Sequence, residues 1–136
     1  DGLHQAAGSR NVIELHGSVH RNTCLRCRRR FPMQAVLDAP GPPRCPCGGP
    51  IKPDVVLYEE PLDQSDLSAA VQALGAADLL IIGGTSLAVY PAAGLVDHYP
   101  GRDTVVINTG QPSPAGRATL TIARPIGTVL DAIRVT

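Results

Sequence analysis

The stretch that decides the fold is Cys24-Leu25-Arg26-Cys27 followed, seventeen residues later, by Cys45-Pro46-Cys47-Gly48-Gly49. Paired cysteines at this spacing are typical of a structural zinc site, in which four thiolates complete a tetrahedron and leave no position for substrate. Two disulfides are the alternative. Zinc is favoured because no secretory segment accompanies the pairs, although the second pair is C-x-C instead of C-x-x-C. The sequence predicts one structural Zn²⁺, bound by all four cysteines of the chain: Cys24, Cys27, Cys45 and Cys47.

The segment around the cysteines is basic, with a single acid, Asp38. Four thiolates on Zn²⁺ carry net negative charge, which nearby cations would offset. A nucleic-acid surface is the alternative, but only Phe31 adds an aromatic group and the net charge of the chain is zero. We therefore expect no direct nucleic-acid partner. Seven of the twelve Lys and Arg residues lie here: Arg21, Arg26, Arg28, Arg29, Arg30, Arg44 and Lys52.

The length of 136 residues suits one domain with a small lobe. We expect residues 20–52 to form the zinc lobe, and residues 1–19 and 53–136 to belong to a larger α/β domain. The lobe has too few apolar residues for a core of its own, so the metal would supply on the order of 10 kcal/mol of coupled folding energy. The absence of a signal peptide favours the cytoplasm, and the longest apolar run, 79–82, is too short to cross a membrane.

Outside the lobe, short apolar runs alternate with helical periods, which predicts a doubly wound parallel sheet. The continuous run at 79–82 is typical of a parallel strand buried on both faces. We expect strands at 12–15, 55–58, 79–82, 104–107 and 119–123. We expect helices at 32–37, 65–75, 91–99 and 126–133, the second of them capped by Asp63 or Ser65.

Polar residues follow several of these predicted strands. His16 would lie at the carboxyl end of the first, where open α/β sheets present catalytic groups, although a hydrogen-bonded loop histidine is the alternative. Gly83 and Gly84 would let the backbone approach a ligand, and Thr85 next to them offers a hydroxyl to phosphate or ribose oxygens. Asn108 ends a later strand, where a turn-forming asparagine is equally expected.

Several segments of the chain occur in a characteristic order: Asp1-Gly2-Leu3-His4, Ala7-Gly8-Ser9, Glu14-Leu15-His16-Gly17, the four cysteines, Pro53-Asp54-Val55-Val56, Gly84-Thr85-Ser86-Leu87 with Val89 and Pro91, and Val106-Ile107-Asn108. Taken together, these motifs resemble the bacterial type of the sirtuins, the family of NAD-dependent protein-lysine deacylases. The resemblance implies a Rossmann-like sheet with a zinc lobe, and a reaction that releases nicotinamide and O-acyl-ADP-ribose from NAD and an acyl-lysine protein. NAD hydrolysis or ADP-ribosyl transfer on the same fold, and a zinc-stabilised binding module without catalysis, remain alternatives.

The resemblance also implies the role of individual residues. His16 would be the catalytic base, since an imidazole can take a proton from a ribose hydroxyl at neutral pH. The substrate peptide would pair with the chain by strand addition. Substrate contacts are implied at Val55, Val56 and Tyr58. Cofactor contacts are implied at Asp1 in the nicotinamide pocket, at Gly84, Thr85, Ser86 and Asn108 around the adenosine ribose and phosphates, and at Ile126 beside the adenine.

Two departures from the family pattern matter. Where the family often has Phe-Gly-Glu, this chain has Tyr58-Glu59-Glu60, so an acid replaces a glycine beside the peptide channel. The family's Gly-Ala-Gly loop, which holds the NAD pyrophosphate, and its Gln-Asn pair precede the position that Asp1 matches. We therefore expect the 136-residue chain to be inactive alone, to expose apolar sheet edges, and to need the upstream half of the same enzyme.

Overall fold

The computed structural model of the chain describes residues 1–110 and 118–134. The chain divides into two compact units, Asp1–Leu67 and Ser68–Thr136, each with a three-stranded sheet. No helix in the described ranges is long and apolar enough to cross a membrane. The elements in chain order are α1 (Leu3–Ala6), β1 (Gly17–Cys24), β2 (Arg30–Pro32), α2 (Met33–Leu37), β3 (Ile51–Val55), α3 (Gln64–Gly75), β4 (Leu80–Gly83), a 3₁₀ helix (Ala92–His98), β5 (Thr104–Ile107), β6 (Leu120–Ile122) and α4 (Ile126–Asp131).

The sheet of the first unit is antiparallel, in the order β2-β1-β3. The prediction of a strand at 12–15 was wrong, because the strand begins at Gly17 and His16 lies in the turn before it. The start at Gly17 depends on the close approach of β3: a Cβ at position 17 would lie 1.8 Å from Asp54 O, so only a glycine lets the two backbones pair there. The strand predicted at 55–58 also shifts and becomes β3, which ends at Val55.

A wide irregularity interrupts the pairing of β1 with β3. Ser18 pairs with Asp54 and Asn22 with the adjacent Pro53, so the residues between Ser18 and Asn22 bulge out of the ladder. Both ends of the bulge are buried, and Asn22 Nδ2 donates to Val19 O at 3.0 Å. Because Asn22 satisfies the carbonyl of Val19, and the N–H groups of Val19 and His20 also have side-chain partners, the bulge is a defined part of the fold.

The buried cluster of the first unit is formed around its thiols. Cys24, Cys45 and Ile51 are buried together, and Phe31 and Val36 pack against them. Two of the three central side chains are therefore predicted metal ligands, which agrees with a lobe that depends on its metal.

The sheet of the second unit is parallel, in the order β4-β5-β6. The predicted strands at 104–107 and 119–123, and the helices at 65–75 and 126–133, are present with small shifts of their ends. Burial of β4 on both faces was a wrong prediction: Ile82 is 6 % exposed, whereas Ile81 is 49 % exposed. In the sheet as described β4 is an edge strand, while Val106 of the central β5 is completely buried.

The division predicted from sequence, with a lobe at 20–52, stays a prediction. Its limits fall inside β1 and β3, because the central antiparallel sheet joins the cysteine-bearing segment to its flanks. Parts of the predicted larger domain, 111–117 and 135–136, lie outside the described residues.

Candidate metal centre and cofactor-binding elements

The four cysteine thiols converge on one point. Cys24 Sγ lies 3.5 Å from Cys47 Sγ, and Cys27 Sγ lies 3.5 Å from Cys45 Sγ. All four sulfur atoms are within 4.8 Å of one another. A tetrahedral Zn²⁺ with Zn–S bonds of about 2.3 Å needs sulfur atoms about 3.8 Å apart, whereas a disulfide needs about 2.05 Å. The cluster therefore fits a structural zinc ion and not two disulfides.

Glycines and a left-handed residue shape the two loops that carry these thiols. In the first loop, Arg28 adopts φ 63° and its N–H donates to Cys24 O at 3.0 Å. In the second, Gly48 adopts φ 84° and its N–H donates to Cys45 O at 2.8 Å. A Cβ at Gly49 would lie 2.8 Å from Cys24 Sγ, so this glycine keeps the ligand sulfur accessible to an ion.

The thiols are electrostatically unlike one another. The backbone N–H of Cys27 points at Cys24 Sγ and lowers the pKa of Cys24 to about 6. At Cys45, the lowering by the backbone N–H of Cys47 is outweighed by burial and by the neighbouring thiols, so the pKa rises to about 12. Four thiols in contact cannot all ionise without a cation, and a divalent ion would displace their protons.

Not all of the basic residues serve the thiols. Arg26 Nη1 donates to Cys47 O at 2.8 Å and so lies against the cluster. Arg21, in contrast, pairs with Glu14 at 2.6 Å, and Lys52 pairs with Glu60 at 2.9 Å. The sequence interpretation that all seven cations compensate the metal site was therefore too broad.

Three predicted site residues of the first unit meet along β1 and β3. The N–H of Val56 donates to His16 O at 3.0 Å, and Val55 pairs with the residue after His16. Backbone hydrogen bonds thus join the segment that contains His16 to the segment of the predicted substrate contacts, Val55 and Val56. His16 itself is exposed.

Asp1 is tied to the same strand. Its Oδ2 accepts a hydrogen bond from the N–H of Val19 at 2.9 Å, and its carbonyl oxygen lies 3.2 Å from His20 Nε2. The bulge in β1 presents this N–H, a feature that no sequence pattern indicated. The predicted contact Tyr58 lies beyond β3 and is fully exposed.

The predicted cofactor residues of the second unit cluster at the carboxyl ends of β4 and β5. Asn108 Nδ2 donates to Thr85 O at 2.8 Å, and the N–H of Gly84 donates to Ile107 O at 3.0 Å. Thr85 Oγ1 accepts from the N–H of Leu87 at 3.1 Å, which fixes the loop that continues through Ser86. This edge is where parallel α/β sheets bind their ligands.

Ile126 completes this cluster and changes the interpretation of one glycine. A Cβ at Gly83 would lie 2.1 Å from Ile126 Cδ1, whereas at Gly84 the nearest atom is Ile126 Cγ2 at 4.0 Å. A side chain at Gly83 would therefore have to displace the end of the Ile126 side chain at the start of α4. Gly84, with φ 65°, is the position that stays open to a ligand.

Comparisons with known proteins agree with one another. A family model described as Sir2 family matches residues 1–91. An NAD-dependent protein deacetylase of Cutibacterium acnes is 55% identical over 134 residues, which are 98% of this chain and 55% of that protein. One of Clostridium perfringens is 52% identical over 135 residues, again 98% of this chain and 55% of the relative. The chain thus spans about half the length of the curated relatives it matches.

Solved structures give the same result. A Sir2 structure in complex with the inhibitor EX-527, 2'-O-acetyl-ADP-ribose and a deacetylated p53 peptide has a TM-score of 0.88 and 35% identity, and covers 96% of this chain and 58% of that one. A Sir2–p53 peptide–NAD⁺ structure has a TM-score of 0.87 and 34% identity, with 96% and 57% coverage.

Proposed function

The chain belongs to the Sir2 family, and from that premise we propose that it forms the zinc-bearing part of an NAD-dependent protein-lysine deacylase. The observation that carries the proposal is the cluster of Gly84, Thr85, Asn108 and Ile126 at the carboxyl ends of two parallel strands. Relatives described as NAD-dependent protein deacetylases support it.

Each predicted residue has a task in that reaction. Gly84, Thr85, Ser86 and Asn108 would hold the adenosine half of NAD, and Ile126 would flank its adenine. Asp1 would help to hold the nicotinamide end. When bound, NAD supplies the ribose carbon that the acyl-lysine oxygen attacks as nicotinamide leaves. These residues bind and orient, which accounts for much of the rate when two substrates must meet.

His16 would act as the general base. Its imidazole can accept a proton from a ribose hydroxyl, and the hydrogen bond from Val56 N to His16 O holds its backbone beside the predicted substrate strand. An acyl-lysine peptide would lie along Val55, Val56 and Tyr58, where backbone pairing tolerates many sequences.

The zinc would be structural. Four protein ligands fill its tetrahedron, so it has no open position for a substrate or a reactive water. We further propose a cytoplasmic location, because a reducing compartment keeps the four thiols available to the metal.

Release of nicotinamide from NAD by the complete product of the gene, with and without an acetyl-lysine peptide, tests the proposed function. We expect release only with peptide, and a decrease of about 10²–10⁴-fold in kcat for His16→Ala. His98→Ala, at the end of the 3₁₀ helix, is the control and should behave as wild type. Peptide-independent release would instead identify an NAD hydrolase or ADP-ribosyltransferase. A protein that binds zinc but neither NAD nor peptide would be a binding module.

A further inference from the structure

A tight turn with two exposed side chains follows β3. The N–H of Glu60 donates to Leu57 O at 3.1 Å, and Glu60 Oε2 accepts from the N–H of Leu57 at 3.0 Å. Tyr58 and Glu59 occupy the two corners, and both are exposed. The turn is fastened to β3 by Lys52, whose Nζ contacts Glu60 Oε2 at 2.9 Å and Val55 O at 2.8 Å. These hydrogen bonds hold the turn against β3.

The two neighbouring acids of this turn, Glu59 and Glu60, differ in their contacts. The carboxylate of Glu60 accepts hydrogen bonds from the N–H of Leu57 and from Lys52, and both lower its pKa. Glu59 makes no hydrogen bond and no ion pair within the described ranges. It also adopts φ 68°, a left-handed conformation that suits glycine better than glutamate. The carboxylate of Glu59 thus lies unpaired at the tip of a hydrogen-bonded turn.

The turn lies close to the proposed reaction centre along the chain. Val56 is bonded to the backbone of His16, and Glu59 is three residues further on, at most about 10 Å of extended chain. A peptide that adds as a strand advances about 3.4 Å per residue. With the acyl-lysine beside His16 and Val56, as the proposed function has it, the carboxylate of Glu59 is within reach of side chains one to three residues from the modified lysine.

We propose that Glu59 gives the enzyme a preference for acyl-lysine peptides that carry Lys or Arg within about three residues of the modified lysine. The proposal rests on the proposed function, and it names the substrate class of the same site. A solvent-exposed ion pair is worth little, so the preference should be about two- to five-fold. Tyr58 adds an exposed aromatic face, on which a guanidinium can stack.

The test compares three acetyl-lysine peptides of one length with Arg, Gln or Glu beside the modified lysine. The complete gene product is loaded with zinc, and deacylation is measured at saturating NAD. Wild type should rank them Arg above Gln above Glu, and the differences should shrink as salt rises. In Glu59→Gln, the KM for the Arg peptide should rise about two- to five-fold while its kcat stays the same. The KM and kcat for the Gln peptide should not change. Asp131→Asn, which removes an exposed acid from α4, should keep the wild-type ranking.

A second variant separates charge from backbone strain. Glu59→Gly also removes the carboxylate but relieves the left-handed residue, so it should lose the same preference without loss of thermal stability. An equal change for all three peptides, or a wild type without preference, would overturn the proposal. If no peptide is deacylated, the proposed function fails instead. In that case the affinities of the three labelled peptides, measured by fluorescence anisotropy, test the charge preference: the order Arg above Gln above Glu supports it, and equal affinities overturn it.

Discussion

At the scale of single residues, two glycines that look alike in the sequence differ in how closely another strand approaches them. Gly17 and Gly8 both have positive φ, 73° and 89°. A Cβ at Gly17 would lie 1.8 Å from Asp54 O, whereas a Cβ at Gly8 would meet nothing within 4 Å. The sequence offers no signal for this difference, because the partner strand is more than thirty residues away from Gly17.

Gly17→Ala should therefore destabilise the protein more than Gly8→Ala. Both substitutions place a Cβ in the left-handed region, at a cost of about 1–2 kcal/mol. Only Gly17→Ala also forces β1 and β3 apart, which adds about 1–3 kcal/mol. Urea unfolding of the two variants measures the difference, and equal losses would contradict the close approach of these strands.

Asp63 should stabilise α3 in a pH-dependent way. Its Oδ1 accepts hydrogen bonds from Ser65, at both the hydroxyl and the N–H, and from the N–H of Asp66, and these bonds lower its pKa from the ordinary 3.8. A lowered carboxyl pKa means that the stabilisation is present above pH 3.8 and disappears as the pH falls through the folded-state value.

Asp63→Ala should accordingly lower the midpoint of thermal unfolding by a few degrees at pH 7, and this effect should shrink as the pH falls below 3.8. Asp63→Asn keeps an acceptor at the same place, so it should lose less and show no such pH dependence. A pH-independent effect of Asp63→Ala would show that the carboxylate does not cap the helix.

At the scale of elements, the sequence predicts the helices and strands that have a clear apolar pattern or whose stabilising contacts come from residues nearby in the chain. The helix at 64–75 has both an apolar period and a cap, and β5 is a continuous apolar run, so both were predicted. β1 was missed because its side chains do not alternate simply: Ser18 and Asn22 are buried polar residues that close a bulge. β3 was misplaced because it contains Pro53, which β-propensity disfavours.

The first unit should lose its structure when its metal is removed. Its buried cluster consists of Cys24, Cys45 and Ile51, so removal of the ion leaves clustered thiols in the core, two of them with strongly shifted pKa values. We expect one zinc per chain. Chelation should abolish hydrogen-exchange protection of β1 and β3 while β4 and β5 stay protected. Full protection of β1 after chelation, with zinc absent, would contradict a structural metal.

At the scale of the whole molecule, the predicted site residues fall into two groups, one in each unit. Asp1, His16, Val55 and Val56 are linked through β1 and β3, and the residues predicted to bind adenosine lie at the ends of β4 and β5. The order of the motifs along the chain was enough to indicate the family. The different surroundings of Gly83, which Ile126 crowds, and of Gly84, which has open space beside it, depend on the fold and could not be read from the sequence.

Substitutions in the two groups should therefore affect different quantities, the Kd for NAD in the second unit and kcat in the first. Asn108→Ala removes the bond to Thr85 O and frees the loop, so the Kd for NAD, measured by calorimetry, should rise about ten-fold, equivalent to about 1.4 kcal/mol. His16→Ala should lower kcat with little change in that Kd, because a general base contributes to the transition state and not to ground-state binding. Thr109→Ala, at an exposed position next to Asn108, is the control. If Asn108→Ala lowered kcat and left NAD binding intact, the carboxyl edge of β4 and β5 would not be the adenosine site.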